Sequence, residues 1–111
     1  MAWAAVEDGG TIGQPGTEGG QIVSDEEYED GARITLERGG PIAPFAITCG
    51  VYGWAFHTHF VGEAEARGDY DAMKVALADI VARIPQESDP DLKLKSKSIF
   101  RAIEDLVAKF P

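Results

Sequence analysis

From Ala32 to Glu37 apolar and polar residues alternate. Ala32, Ile34 and Leu36 fall on one side, and Arg33, Thr35 and Glu37 on the other. That is the pattern of a half-buried strand, and Gly39-Gly40-Pro41 ends it. Two β-rich runs follow, Phe45–Tyr52 and Trp54–Val61, joined by a turn signal at Tyr52–Gly53. Residues 32–61 are therefore predicted to form at least three antiparallel strands. Beyond Gly62 the period lengthens. Tyr70, Met73, Leu77, Ile80, Val81 and Ile84 recur at helical spacing until Pro85, with Asp69 as the expected N-cap and an earlier turn over Glu63–Arg67. This predicts a helix over 63–84. A second is expected over 89–110, with Asp89 as cap, Pro90 at the first helical position, and an apolar stripe of Leu92, Ile99, Ile103, Leu106 and Phe110. Both stripes need a surface to cover. The expected fold class is α+β, a two-layer domain spanning 1–111 in which an antiparallel sheet of at least three strands packs against two C-terminal helices.

The N-terminal third reads differently. Residues 9–20, GGTIGQPGTEGG, contain six glycines and a proline, and the whole of 1–20 is expected to be loop-like, with Trp3 and Val6 anchoring a short strand. No phosphate-binding GxxxxGK[ST] spacing occurs. The run Ser24–Asp30 has two readings. Ser24 with Glu27 is a capping-box pattern, whereas Asp30–Gly31 signals a hairpin joining 21–29 to 32–38. The acids are poor strand formers, so a turn of helix is preferred.

The only cysteine and both histidines lie in the 45–61 hairpin. A two-residue turn at Tyr52–Gly53 sets Cys49 opposite Phe56 and Thr48 opposite His57. Phe45, Ile47, Cys49, Val51, Trp54, Phe56, Thr58 and Phe60 then share one face, and His57 and His59 share the other with Ala46, Thr48, Gly50 and Ala55. This segregates large side chains from small ones and separates Cys49 from the histidines. A slipped register with a three-residue loop would instead oppose Cys49 to His57. Candidate ligand-binding residues are His57, His59, Thr48 and Thr35. Two imidazoles two apart on a strand project to one side, as in metal-binding strands, but a third ligand is missing, so no metal and no cofactor is expected. The alternative keeps His57 and His59 as metal ligands or as a catalytic acid–base pair. Cys49 is read as an inert core thiol.

Composition adjusts this picture in two ways. Net charge is −9, and eight acids with no Lys or Arg fall in residues 1–32, leaving ten bases and eleven acids in the rest. Nucleic acid is therefore not expected as a partner. The line Lys93, Lys97, Arg101 is read first as an ordinary solvated helix face, and second as a dock for the acidic third, within one copy or across a dimer. A single cysteine excludes an internal disulfide and suits a reducing, cytoplasmic setting, and no apolar run is long enough for a membrane helix. The preferred reading is a non-enzymatic binding domain, homodimeric through a sheet face, with a small-molecule ligand on the histidine face as a further option. A small His57/His59 enzyme and an acidic inhibitor or immunity-type protein are the alternatives.

Overall fold

A computed structural model describes residues 3–111. The chain runs through β1 (Trp3–Ala5), a 3-10 turn (Val6–Gly9), β2 (Gln21–Tyr28), β3 (Ala32–Arg38), β4 (Phe45–Val51), β5 (Ala55–Val61), α1 (Glu63–Ala82) and α2 (Leu92–Lys109). The strands form one five-stranded antiparallel meander in the order β1-β2-β3-β4-β5. Both helices cover one face of it, giving the α+β fold that the alternation and the two apolar stripes imply.

The core lies between that inner face and the helices. Ala32, Ile34 and Leu36 of β3 and Ile47, Cys49 and Val51 of β4 meet Ala66, Tyr70, Met73, Leu77 and Ile80 of α1 and Ile99, Leu106 and Phe110 at α2. The α1 residues recur every three or four positions, so one stripe carries all the burial. Each large side chain removed from water here contributes about 1.5–3 kcal/mol.

Two residues expected as helix caps lie elsewhere. Helix α1 begins at Glu63, and Asp69 lies inside it rather than at its cap. Helix α2 begins at Leu92; Asp89 and Pro90 belong to the turn before it, where Asp89 Oδ1 accepts the Asp91 amide at 2.9 Å.

Residues 21–28 are a strand, not a turn of helix. The acids are tolerated because alternation sends them to different partners. Glu26 faces the helices, where Tyr70 Oη and Lys74 Nζ each donate to its carboxylate at 2.8 Å. Asp25 faces the outer side beside Arg33 and Thr35. A register shift between Ile22 and Ser24 marks a bulge that re-aims the first part of the strand.

The glycine-rich segment is built around an acid. Glu37, only 1% exposed, projects from the outer face of β3. Its Oε1 accepts the backbone N–H of Glu18 at 3.1 Å and of Gly20 at 2.9 Å. A side chain at Gly16 would collide with this carboxylate, so close backbone approach, as well as flexibility, accounts for that glycine. Amide donors to a carboxylate are charge-assisted, and such hydrogen bonds contribute about 1.5–3 kcal/mol. Glu37→Ala is expected to lower stability by about 2 kcal/mol and to speed hydrogen exchange at the Glu18 and Gly20 amides. Unchanged protection at those two amides would show that the loop holds its shape without the carboxylate.

Candidate functional site

The β4–β5 hairpin turns through three residues, Tyr52-Gly53-Trp54, not two. The Trp54 amide donates to the Val51 carbonyl at 2.9 Å, and Gly53 takes φ +82. This is the three-residue hairpin geometry in which glycine takes the left-handed position. The pairs are Val51 with Ala55, Gly50 with Phe56, Cys49 with His57, Thr48 with Thr58, Ile47 with His59 and Ala46 with Phe60. Every β5 side chain is therefore on the opposite face from the one expected. His57 and His59 join Cys49 on the inner face, while Thr35, Thr48, Thr58, Phe56 and Phe60 share the outer face.

The physical reason is complementarity across strands. Phe56 stands beside Gly50, where a Cβ would come within 2.7 Å of its ring, and Phe60 stands opposite Ala46. Large aromatic groups are seated next to the smallest residues of the neighbouring strand. Grouping large with large discarded this solution.

On the inner face both histidines tie down the end of α2. His57 Nε2 lies 2.5 Å from the main-chain oxygen of Phe110, and His59 Nδ1 lies 2.9 Å from that of Pro111. His59 Nε2 also lies 2.8 Å from Asp69 Oδ2 on α1. His59 is thus wedged between both helical elements, with an acceptor at each ring nitrogen, and its ring meets Phe110 edge-on at 5.7 Å. Asp69, expected as a cap, is a histidine partner. No sequence period signals this, because the two residues are ten apart on different element types.

The inner face holds Cys49 directly opposite His57, so the two are neighbours after all. Burial pushes the Cys49 thiol up to about 11, so it remains a neutral core group at ordinary pH. Between the hairpin and the helices lies a crevice of about 20 Å³, lined by Cys49, Val51, His57, Leu77, Ile103 and Leu106 among others, room for about one water. Among the described residues no group of three or more His, Cys, Asp or Glu could hold a metal ion.

The outer face has a different character. Thr48 Oγ1 and Thr58 Oγ1 are 3.2 Å apart, and Thr35 Oγ1 donates to Asp25 Oδ1 at 2.9 Å. Arg33 grips the same carboxylate through Nε at 2.9 Å and Nη2 at 2.6 Å. Burial alone would raise the Asp25 carboxyl, but the hydrogen bonds from Arg33 and Thr35 and the guanidinium charge outweigh it and hold it below the usual value. Beside this network Phe56 is 78% exposed. Neither Lys93, Lys97 nor Arg101 takes part in an ion pair among the described residues; the acids of β2 are met instead by Arg33 and Lys74.

Two outcomes follow from the geometry. His59→Ala and Asp69→Ala are each expected to lower stability, by about 1.5–3 kcal/mol for a hydrogen bond to a charged group. The double variant should fall short of the sum by more than about 0.5 kcal/mol; additivity in denaturant unfolding would dissolve the clasp. The second concerns acid. Because the folded Asp25 carboxyl lies below its unfolded value, its pairing stabilises the fold above the unfolded pKa and is lost as pH falls through the folded one. The stability gap between the natural chain and Arg33→Gln should therefore shrink as pH falls from about 5 to about 2. A gap independent of pH would show that Arg33 acts through something other than the Asp25 charge.

Compared with family models, characterised proteins and solved structures, the chain matches none, and the reading of its surfaces rests on their geometry.

Proposed function

We propose that this is a binding domain that works as a homodimer, using the outer face of its sheet along β4 and β5. The observation that carries this reading is Phe56. It is a large aromatic side chain, 78% exposed, on a sheet face that neither helix covers, beside the Thr48–Thr58 pair and the half-buried Phe60. An isolated exposed apolar residue is ordinary. Here, however, the exposed ring shares an uncovered sheet face with the half-buried Phe60, and at the hairpin turn Phe100 of α2, 51% exposed, meets Trp54 edge-on at 5.1 Å. Exposed aromatic surface on an uncovered sheet face marks an interaction site.

An enzymatic role for His57 and His59 draws less support. Both nitrogens of His59 already have partners, as does Nε2 of His57, and the space beside them is about one water in size. No described helix is long and apolar enough to cross a membrane. The buried free thiol of Cys49 suits the cytoplasmic setting that the reading includes.

Light scattering on the eluting peak of a sizing column tests this. The expected mass is near twice 11.9 kDa, and it should persist at raised salt, because the contact is apolar. Burying a phenylalanine side chain is worth about 1.5–3 kcal/mol, so Phe56→Ser should weaken association by about tenfold or more without unfolding the chain. A monomer under all conditions would refute the reading. So would stoichiometric bound metal that vanishes with His57→Ala.

A further inference from the structure

We propose that the partner is a second copy paired strand to strand: β5 meets β5 of the other copy antiparallel, about a two-fold axis at Thr58, joining two five-stranded sheets into one. This rests on the homodimeric reading above and places the contact at the β5 edge, where the outer-face Phe56 and Phe60 meet their counterparts.

Strand β5 ends the sheet order, and the described backbone hydrogen bonds give its outer edge no main-chain partner. An edge strand displays alternate N–H and C=O groups that another strand can satisfy, and chains ordinarily block such edges with charge, proline, a bulge or brevity. Strand β5 uses none of these devices. It is seven residues long, AFHTHFV, with no Asp, Glu, Lys, Arg or Pro, and its pairing with β4 shows no register shift. The opposite edge, β1, has three residues. Nearly all of the net charge of −9 falls in residues 1–32, and β5 lies in the remainder, which carries ten bases and eleven acids, so overall charge does little to hold two copies of this edge apart.

The choice of a second copy over an unrelated strand comes from order along β5. Phe56-His57-Thr58-His59-Phe60 reads the same in both directions. Antiparallel pairing centred on Thr58 sets Phe56 against Phe60 of the partner copy, His57 against its His59, and Thr58 against its own counterpart. Opposed residues share a face, so both helical layers stay on one side of the joined sheet. On the outer side Phe56 would then lie between Gly50 of its own β4 and the partner's phenylalanine, which covers its exposed ring. The Thr35–Thr48–Thr58 row would run on unbroken into the other copy. A one-residue slip would turn the partner over and set threonine against histidine.

Cysteine cross-linking reads this register directly. At the two-fold axis Thr58 and its counterpart would have Cα atoms about 4.5–5.5 Å apart, within the disulfide range of about 4.4–6.8 Å. Phe56 and its counterpart would be about 14 Å apart. Under mild oxidation Thr58→Cys should give at least ten times the disulfide-linked dimer that Phe56→Cys gives, with Cys49 left in place as a buried thiol. Thr58→Lys, which sets like charges against each other at the axis, should weaken the dimer tenfold or more. A dimer that neither cross-links at Thr58 nor responds to Thr58→Lys would overturn the strand pairing while leaving association through the outer face standing. Equal cross-linking at both positions would also overturn it. If the unmodified chain is monomeric, both readings fall together.

Discussion

The register of one hairpin decides most of what this molecule can do. With a three-residue loop at Tyr52–Gly53–Trp54, His57 and His59 turn inward and Phe56, Thr58 and Phe60 turn outward. A loop one residue shorter would invert all of them. The loop is not the sole cause. Gly50 and Ala46 leave hollows on the outer side of β4 that Phe56 and Phe60 fill, while the main-chain oxygens of Phe110 and Pro111 and the carboxylate of Asp69 wait on the inner side for imidazole nitrogens. Turn geometry, cross-strand packing and polar satisfaction agree on a single register, the kind of agreement between levels that gives a chain one structure.

The same principle explains the acids of the first third. Read as composition they suggest a solvated surface. Placed on β2, they divide by face: Glu26 receives Tyr70 and Lys74 from α1, and Asp25 receives Arg33 and Thr35 from β3. Burial raises the Tyr70 hydroxyl well above its usual value, and its hydrogen bond to Glu26 adds to this. That hydroxyl is therefore a permanent donor, which fits a fixed bolt between helix and sheet. Glu37 plays the corresponding part for the N-terminal loop. Deleting one partner of such a group leaves the other buried and unsatisfied, so these acids are held in place more strictly than surface charges.

What the sequence made legible was whatever depends on period. The alternation of β3 and the apolar stripes of α1 and α2 need only local regularity, and they identified the elements and the side each buries. What it hid depends on pairs distant in the chain. Asp69 looks like a helix cap until His59 is known to lie beside it, and Ser24–Asp30 reads as a turn of helix as readily as a hairpin arm until Arg33, Thr35 and Lys74 are placed against its acids. The hairpin is the instructive case, since both registers were available in advance. Segregating large from small residues chose wrongly, because a sheet face is packed by complementarity between neighbouring strands and not by uniform size. The two arrangements could have been ranked by asking which one gave the imidazoles acceptors and the glycine a ring.

Inward-turned histidines also account for the bareness of the outer face. The helices are fastened to the inner side by His57, His59 and Glu26, and the N-terminal loop covers only the Glu37 end of the other side. Among the described residues none covers β4 and β5 from outside. A sheet with one solvated face usually makes that face polar, and here threonines, Arg33 and Asp25 do so as far as Thr58. Phe56 and Phe60 break the pattern on a strand whose edge is also open. Aromatic exposure and an unpaired edge are separate costs with separate remedies, and a single neighbouring strand remedies both at once. Their coincidence on β5 is what makes association through that strand a more economical account than two unrelated irregularities.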